Sequence, residues 1–330
     1  MVSYQYKCVD ESILLPFLKK YVFKVLHSYI PNGIPANYLT LISIFVIWSC
    51  FIHFLRTEFI IDSDIIIAFF SIMIYVIFDH FDGLQAKITS TSSPLGEILD
   101  HYSDVFNGSI IIYLLFRILE IELGWIFYLA VWFNLIAFTI TYLEQSILKE
   151  LYFGKIGSLE GIVIILFILL SLLTYPGKDF WLRYDIMNIP INLFLLGGLI
   201  IGVLYTVFCS IKRLKFIPIS FFIYILTGTI LFFVCINLNL SWYMKFLLIN
   251  LYSADFILKS MKCHLVDNYS PRPDIIIYIL FLIIFIEPFP ANEYQIHFVI
   301  YILFISASIL LNFIKIFREF KQFWKWWNIK

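Results

Sequence analysis

The sequence predicts an all-α polytopic membrane protein, with about ten transmembrane helices and an N-terminal amphipathic helix lying at the membrane interface. Three observations carry that expectation. Of the 330 residues, 62% are hydrophobic, 20% aromatic and only 14% charged, with a mean hydropathy of +0.92, a composition that excludes a soluble domain of this length. Apolar runs of about 20 residues, enough to cross a hydrocarbon core at 1.5 Å per residue, recur along the whole chain. Lysine and arginine divide 18 to 5 between the two sets of alternate loops, so the zero net charge hides a strong asymmetry across the membrane. That asymmetry places both termini in the cytosol and lends no support to nucleic-acid binding.

Taken in order, residues 11–30 alternate apolar and basic faces after Pro16, with Lys19, Lys20 and Lys24 toward anionic headgroups. The chain is expected to carry no signal peptide. Spans are expected at 38–56, 62–80, 98–118, 123–146, 159–176, 190–211, 217–238, 241–260, 274–290 and 295–317. The first is preceded by Pro35-Ala36-Asn37-Tyr38-Leu39-Thr40, which suits a helix start. Domains follow: 1–37 cytosolic and interfacial, 38–212 a catalytic group of helices, and 213–330 a supporting or dimerisation group. Asp255, Lys259 and Lys262 share one late helix, and the tail from Phe317 to Lys330, with Trp324, Trp326 and Trp327 among lysines, reads as an interfacial anchor. The five cysteines are scattered without metal or disulfide spacing, and Asn239-Leu240-Ser241 lies too near the membrane for glycosylation.

Chemistry concentrates in residues 79–104. Asp79 and Asp82 are spaced i, i+3 and Asp100 and Asp104 i, i+4, so on helices each pair shares a face. Two facing helices then bring four carboxylates to one pocket. At an effective dielectric of about 20, two like charges about 4 Å apart repel by roughly 4 kcal/mol, so the pocket requires a cation. Lys87 is the only basic residue of the stretch apart from the histidines, and oxygen-only ligands favour Mg²⁺ or Mn²⁺ over zinc. Gly83 and Gly96 allow close backbone approach, and Pro94 suits the entry to the next helix.

Asp79-x2-Asp82-Gly83-x2-Ala86-Lys87-x8-Gly96-x3-Asp100-x3-Asp104 resembles the signature of the CDP-alcohol phosphotransferases. The surrounding Gln85-Ala86, Ser92-Ser93-Pro94-Leu95-Gly96-Glu97 and Asp100-His101 are similar to the eukaryotic choline and ethanolamine phosphotransferase branch. Two departures stand out: the family arginine is Lys87 here, which loses a bidentate fork, and a second arginine is replaced by Ile88. The resemblance implies transfer of phosphoethanolamine or phosphocholine from CDP-ethanolamine or CDP-choline to diacylglycerol, releasing CMP. It implies two Mg²⁺ or Mn²⁺ ions held by Asp79, Asp82, Asp100 and Asp104, with Asn37, Gly83, Ala86, Lys87 and Gly96 at the substrate. It also implies a homodimer of the endoplasmic reticulum or Golgi with a cytosol-facing site.

Downstream, Tyr142-Leu143-Glu144 and Leu151 to Gly161 resemble two further elements of that branch. There the glutamate corresponding to Glu160 pairs with the histidine corresponding to His101, which makes His101 the expected general base, with Asp104 as the competing assignment. Two rivals stay open. One is a sister enzyme using inositol or glycerol phosphate as acceptor; the other is a cation transporter, which calls for inverted repeats that this chain lacks.

Overall fold

A computed structural model describes residues 7–237, 240–266, 271–279 and 294–320. The chain begins with a short strand, β1 (Cys8–Asp10), and a helical stretch in three pieces: α1 (Leu15–Leu18), a π-helical turn (Lys19–Phe23) and α2 (Lys24–His27). The expected interfacial helix over 11–30 is thus interrupted. Phe23 is buried against Leu39 and Phe81, while Phe17, Tyr21 and Tyr29 are exposed beside the basic Lys20 and Lys24. Docking onto the bundle, not a clean polar and apolar division, orders this segment.

Three long helices follow. In α3 (Ala36–Arg56), Pro35 at the N-cap holds extended backbone, which suits a sharp start. The next, α4 (Asp62–Thr89), opens with the Asp64 carboxylate accepting from Ile61 N–H at 2.9 Å and closes at Ser90, whose φ of 53° is left-handed. Three residues later Ser93 caps α5 (Pro94–Ile118), its Oγ accepting from Gly96 N–H at 3.0 Å. This tight turn sets the motif halves of α4 and α5 side by side. Then come α6 (Trp125–Leu148), strand β2 (Leu151–Phe153), α7 (Ser158–Ser171) and α8 (Tyr175–Arg183). A hairpin of β3 (Asp185–Ile186) and β4 (Ile189–Pro190) leads to α9 (Ile191–Leu214), α10 (Ile219–Asn237), α11 (Trp242–Leu265) and α12 (Tyr294–Phe320).

The chain is mostly helical, but not purely so. β1 and β2 pair in parallel, Cys8 opposite Leu151 and Asp10 opposite Phe153. A strand pair joining positions some 140 residues apart leaves no mark in local hydropathy.

Among the described residues, six helices are long and apolar enough to cross a membrane: α3, α4, α6, α9, α10 and most of α12. A seventh is counted if α7 and α8, bent by 116° at their junction, make one span. The expected ten are therefore not confirmed. Expected spans 98–118 and 241–260 fall on α5 and α11, which are long enough but too polar. Both are instead mostly buried by other helices, so their polar groups face protein and not hydrocarbon. Most of the span expected at 274–290 lies outside the described residues, as do Asn239 and residues 321–330 of the tryptophan-rich tail.

Aromatic side chains fill the core around α11. Tyr113 stacks on Trp242 and Tyr224 on Tyr252, each pair with ring centroids 5.2 Å apart. Trp132 and Tyr252 close over Gly228 so tightly that a Cβ there would lie 2.1 Å from the Trp132 ring. On the other side of α11, Lys259 is held between Asp255 at 2.6 Å and Asp274 at 3.1 Å, and Ser308 of α12 lies within 3.0 Å of both carboxylates. Asp255 and Lys259 thus tie α11 to α12 and to the stretch around Asp274.

Candidate active site

The four motif aspartates do converge. Asp79 and Asp82 project from the last turns of α4 and Asp100 and Asp104 from the first turns of α5, and both Asp79 and Asp82 come within hydrogen-bonding reach of Asp100. Ligand atoms of Asp100, His101 and Asp104 all lie within 4.8 Å of one another. The spacing of i, i+3 and i, i+4 on two helices joined by a tight turn is what produces this.

The neighbours of the carboxylates are specific. Thr40 of α3 donates to Asp82 Oδ2 at 2.5 Å, and Tyr75, one turn before Asp79, donates to Asp104 Oδ1 at 2.6 Å. His101 Nδ1 stands 3.4 Å from Asp100 Oδ2, and His80 Nδ1 stands 3.7 Å from Asp79 Oδ2. Among the described residues, these two imidazoles are the only basic groups within 4 Å of the four carboxylates; neither lysine nor arginine approaches them. Asp100 Oδ1 is buried with no hydrogen-bond partner.

That orphaned oxygen tests whether a metal fits. A buried carboxylate oxygen without a donor costs about 1–3 kcal/mol or more, and four such acids side by side repel one another. A hard divalent cation held beside Asp100 and Asp104 would give that oxygen a partner and offset the repulsion. The donor set fits Mg²⁺ or Mn²⁺, with the His101 ring adjacent.

The other expected residues fall around this centre. Asn37, nearly buried at the start of α3, faces Gly96: a Cβ at 96 would lie 3.0 Å from Asn37 Oδ1, so glycine here lets α5 pack onto α3. Gly83 differs, because a Cβ there would meet no protein atom within 4 Å. Its place on α4 is open. Ala86 is half-buried and Lys87 exposed on the next turn.

Glu160 has partners other than the expected one. Its Oε1 accepts from Ser12 Oγ at 2.5 Å and Leu14 N–H at 3.3 Å, and its Oε2 accepts from Gly157 N–H at 2.8 Å. It closes the first turn of α7 and fastens the N-terminal segment, and the His101 ring is not among its partners. Position three of a helix is a place where a glutamate caps backbone N–H groups, and that local role wins here. Glu144, in the other downstream element, is buried in a two-pronged pair with Arg213 of α9.

Sequence reasoning named Thr40 and Tyr142 only as parts of longer elements and left out Tyr75; the Tyr142 hydroxyl donates to the His101 carbonyl at 3.3 Å. A signal existed for two of them. Thr40 lies one turn beyond Asn37 on α3, and Tyr75 one turn before Asp79 on α4, so each shares a face with a residue already singled out. It also missed Gln85, buried beside the motif, which donates to the carbonyls of Pro31 and Ile34 and ties the loop before α3 to α4.

Comparison with known proteins bears on the same residues. The family model for CDP-alcohol phosphatidyltransferase matches residues 34–207, more than half of the chain and all of the aspartate motif. An uncharacterized CDP-alcohol phosphatidyltransferase class-I family protein of Schizosaccharomyces pombe is 30% identical over 189 residues, 55% of this chain and 48% of the relative. The choline/ethanolaminephosphotransferase 1 of Saccharomyces cerevisiae is 25% identical over 193 residues, 55% of this chain and 48% of its own. The cholinephosphotransferase 1 of Mus musculus is 26% identical over 218 residues, 63% of this chain and 53% of its own. The chain spans about half the length of these curated relatives.

Proposed function

We infer, from the premise that the chain belongs to the CDP-alcohol phosphatidyltransferase family, that it transfers phosphoethanolamine or phosphocholine from a CDP-alcohol to diacylglycerol, releasing CMP. One observation carries the reading to this site: four carboxylates converge with no lysine or arginine of the described residues beside them, next to open space at Gly83. Such a pocket suits a cation-bound pyrophosphate laid along the backbone of α4. The head-group choice leans on the likeness to relatives named for choline and ethanolamine transfer.

Asp79, Asp82, Asp100 and Asp104 would hold two divalent cations, which when bound would supply the positive charge that neutralises the pyrophosphate and stabilises CMP as leaving group. Asn37, Gly83, Ala86 and Lys87 face the donor, and Gly96 keeps α5 close enough for Asn37 to reach it. His101 takes the proton from the diacylglycerol hydroxyl. Asp104 is the weaker candidate for that role, because one of its oxygens already accepts from Tyr75. The donor arrives from the cytosol and the lipid sideways from the bilayer. On the same reading, the N-terminal residues lie against the cytosolic leaflet of the endoplasmic reticulum or Golgi, 38–212 form the catalytic helices, and 213–330 support them or a homodimer contact.

The test uses the purified full chain in vesicles containing diacylglycerol, supplied with Mg²⁺ and both CDP-alcohols in competition. Release of CMP together with phosphatidylethanolamine or phosphatidylcholine is expected. No CMP with either donor refutes this transfer, and CMP release only when CDP-diacylglycerol is supplied with inositol or glycerol phosphate moves the chain to a sister reaction.

A further inference from the structure

Residues 8–27 precede the stretch matched by the family model, yet three separate attachments bind them to the rest of the fold, one of them to the motif itself. The first is the parallel pairing of β1 with β2, extended by hydrogen bonds from Glu11 N–H to Phe153 O at 3.0 Å and from Leu151 N–H to Lys7 O at 3.0 Å. The second is Ser12, whose hydroxyl donates to the Glu160 carboxylate while its Oγ accepts from Leu15 N–H at 3.0 Å. The third is Phe23, stacked on the His80 ring with centroids 4.4 Å apart and interplanar angle 28°. His80 sits in the motif itself, between Asp79 and Asp82, and its Nδ1 donates to Val76 O at 2.9 Å, which sets the ring's orientation.

The third attachment touches the motif itself, and the first two fix the chain that leads to it. His80 and Gly83 are spaced i, i+3, so the Phe23–His80 stack lies on the face of α4 that is open at Gly83. Anything held over Gly83 comes alongside that stack. Burial of Phe23 against Leu39 and Phe81 keeps the stack in place, and the Ser12–Glu160 bond keeps the approach to it from swinging away.

We propose that the N-terminal segment is one wall of the donor pocket, with Ser12 and Phe23 as positioning residues that hold it against Glu160 and His80. The proposal rests on the CDP-alcohol reading of the site. It assigns to Glu160 the work of anchoring this wall, and it makes residues outside the family-matched stretch part of donor recognition.

The experiment measures steady-state kinetics of the full chain in diacylglycerol vesicles, varying CDP-choline and CDP-ethanolamine. A hydrogen bond to a charged group is worth about 1.5–3 kcal/mol, so Ser12→Ala is expected to raise donor KM by about tenfold or more. Its kcat and its KM for diacylglycerol stay within about twofold of wild type, because Ser12 touches no reacting atom. Ser12→Thr, which keeps the hydroxyl, restores donor KM. Phe23→Ala shifts donor KM in the same direction and Phe23→Trp, which keeps the stack, recovers it. An unchanged donor KM in both Ser12→Ala and Phe23→Ala overturns the proposal, as does a loss confined to kcat. Failure of the wild-type chain to release CMP refutes the transferase reading instead, and backbone amide exchange then judges the wall. Faster exchange at Leu14, Leu151 and Gly157 in Ser12→Ala supports it, and exchange equal to wild type overturns it.

Discussion

Thr40→Val removes one hydroxyl from beneath the aspartate cluster while keeping the shape of the side chain. Thr40 is 3% exposed and Asp82 5% exposed, and the Thr40 hydroxyl donates to Asp82 Oδ2 at 2.5 Å. A charge-assisted bond of this kind contributes about 1.5–3 kcal/mol, and its loss leaves a carboxylate oxygen facing a methyl group. Since 1.4 kcal/mol is a factor of ten, the full effect corresponds to roughly 10- to 150-fold in an equilibrium constant. Partners that orient a metal ligand typically contribute 10- to 100-fold to metal affinity, so the two routes agree. The expected result is an increase of that size in the Mg²⁺ concentration giving half-maximal CMP release. Thr40→Ser, which retains the hydroxyl, stays within a few-fold of wild type. A Thr40→Val protein with an unchanged Mg²⁺ requirement would refute the assignment of Asp82 as a ligand held by Thr40.

Four further outcomes follow from the same geometry. Asp79→Asn, Asp82→Asn and Asp100→Asn are each expected to abolish turnover and to weaken metal-dependent donor binding, and chelation of divalent cations to do the same; full activity under chelation would sink the metal site. His101→Gln is expected to lose about 10²- to 10⁴-fold in kcat with metal and CDP-alcohol binding retained, whereas normal turnover with an unchanged pH profile would pass the base role to Asp104. Gly228→Ala drives a methyl into Trp132 and Tyr252, which typically costs 1–3 kcal/mol, so a lower thermal midpoint in detergent is expected with donor KM unaffected. Ser90→Cys, at the exposed end of α4, should react with a membrane-impermeant thiol reagent from the cytosolic side of sealed vesicles, and labelling from the lumen alone would invert the orientation.

By itself the sequence determined the membrane class, the helical character and the family motif. Each of these depends on local pattern: composition for the solvent, runs of about 20 apolar residues for the spans, and i, i+3 and i, i+4 spacing for the convergence of Asp79, Asp82, Asp100 and Asp104. Helices with their own caps at Ser93 and Ser90 carry that pattern into space with little further help. Only the tertiary structure decided which polar helices sit inside the bundle. Hydropathy cannot distinguish a helix that meets lipid from one whose charges face other helices, so α5 and α11 were counted as spans on sequence alone. The partner of Glu160 was decided at the same level. A carboxylate bonds to whichever donor the fold brings nearest, and the pairing of β1 with β2 brings Ser12 from 148 residues away. Thr40 and Tyr75 stand between the two: spacing puts each on a face with Asn37 or Asp79, but only the packing of α3 on α4 and of α4 on α5 brings their hydroxyls to Asp82 and Asp104.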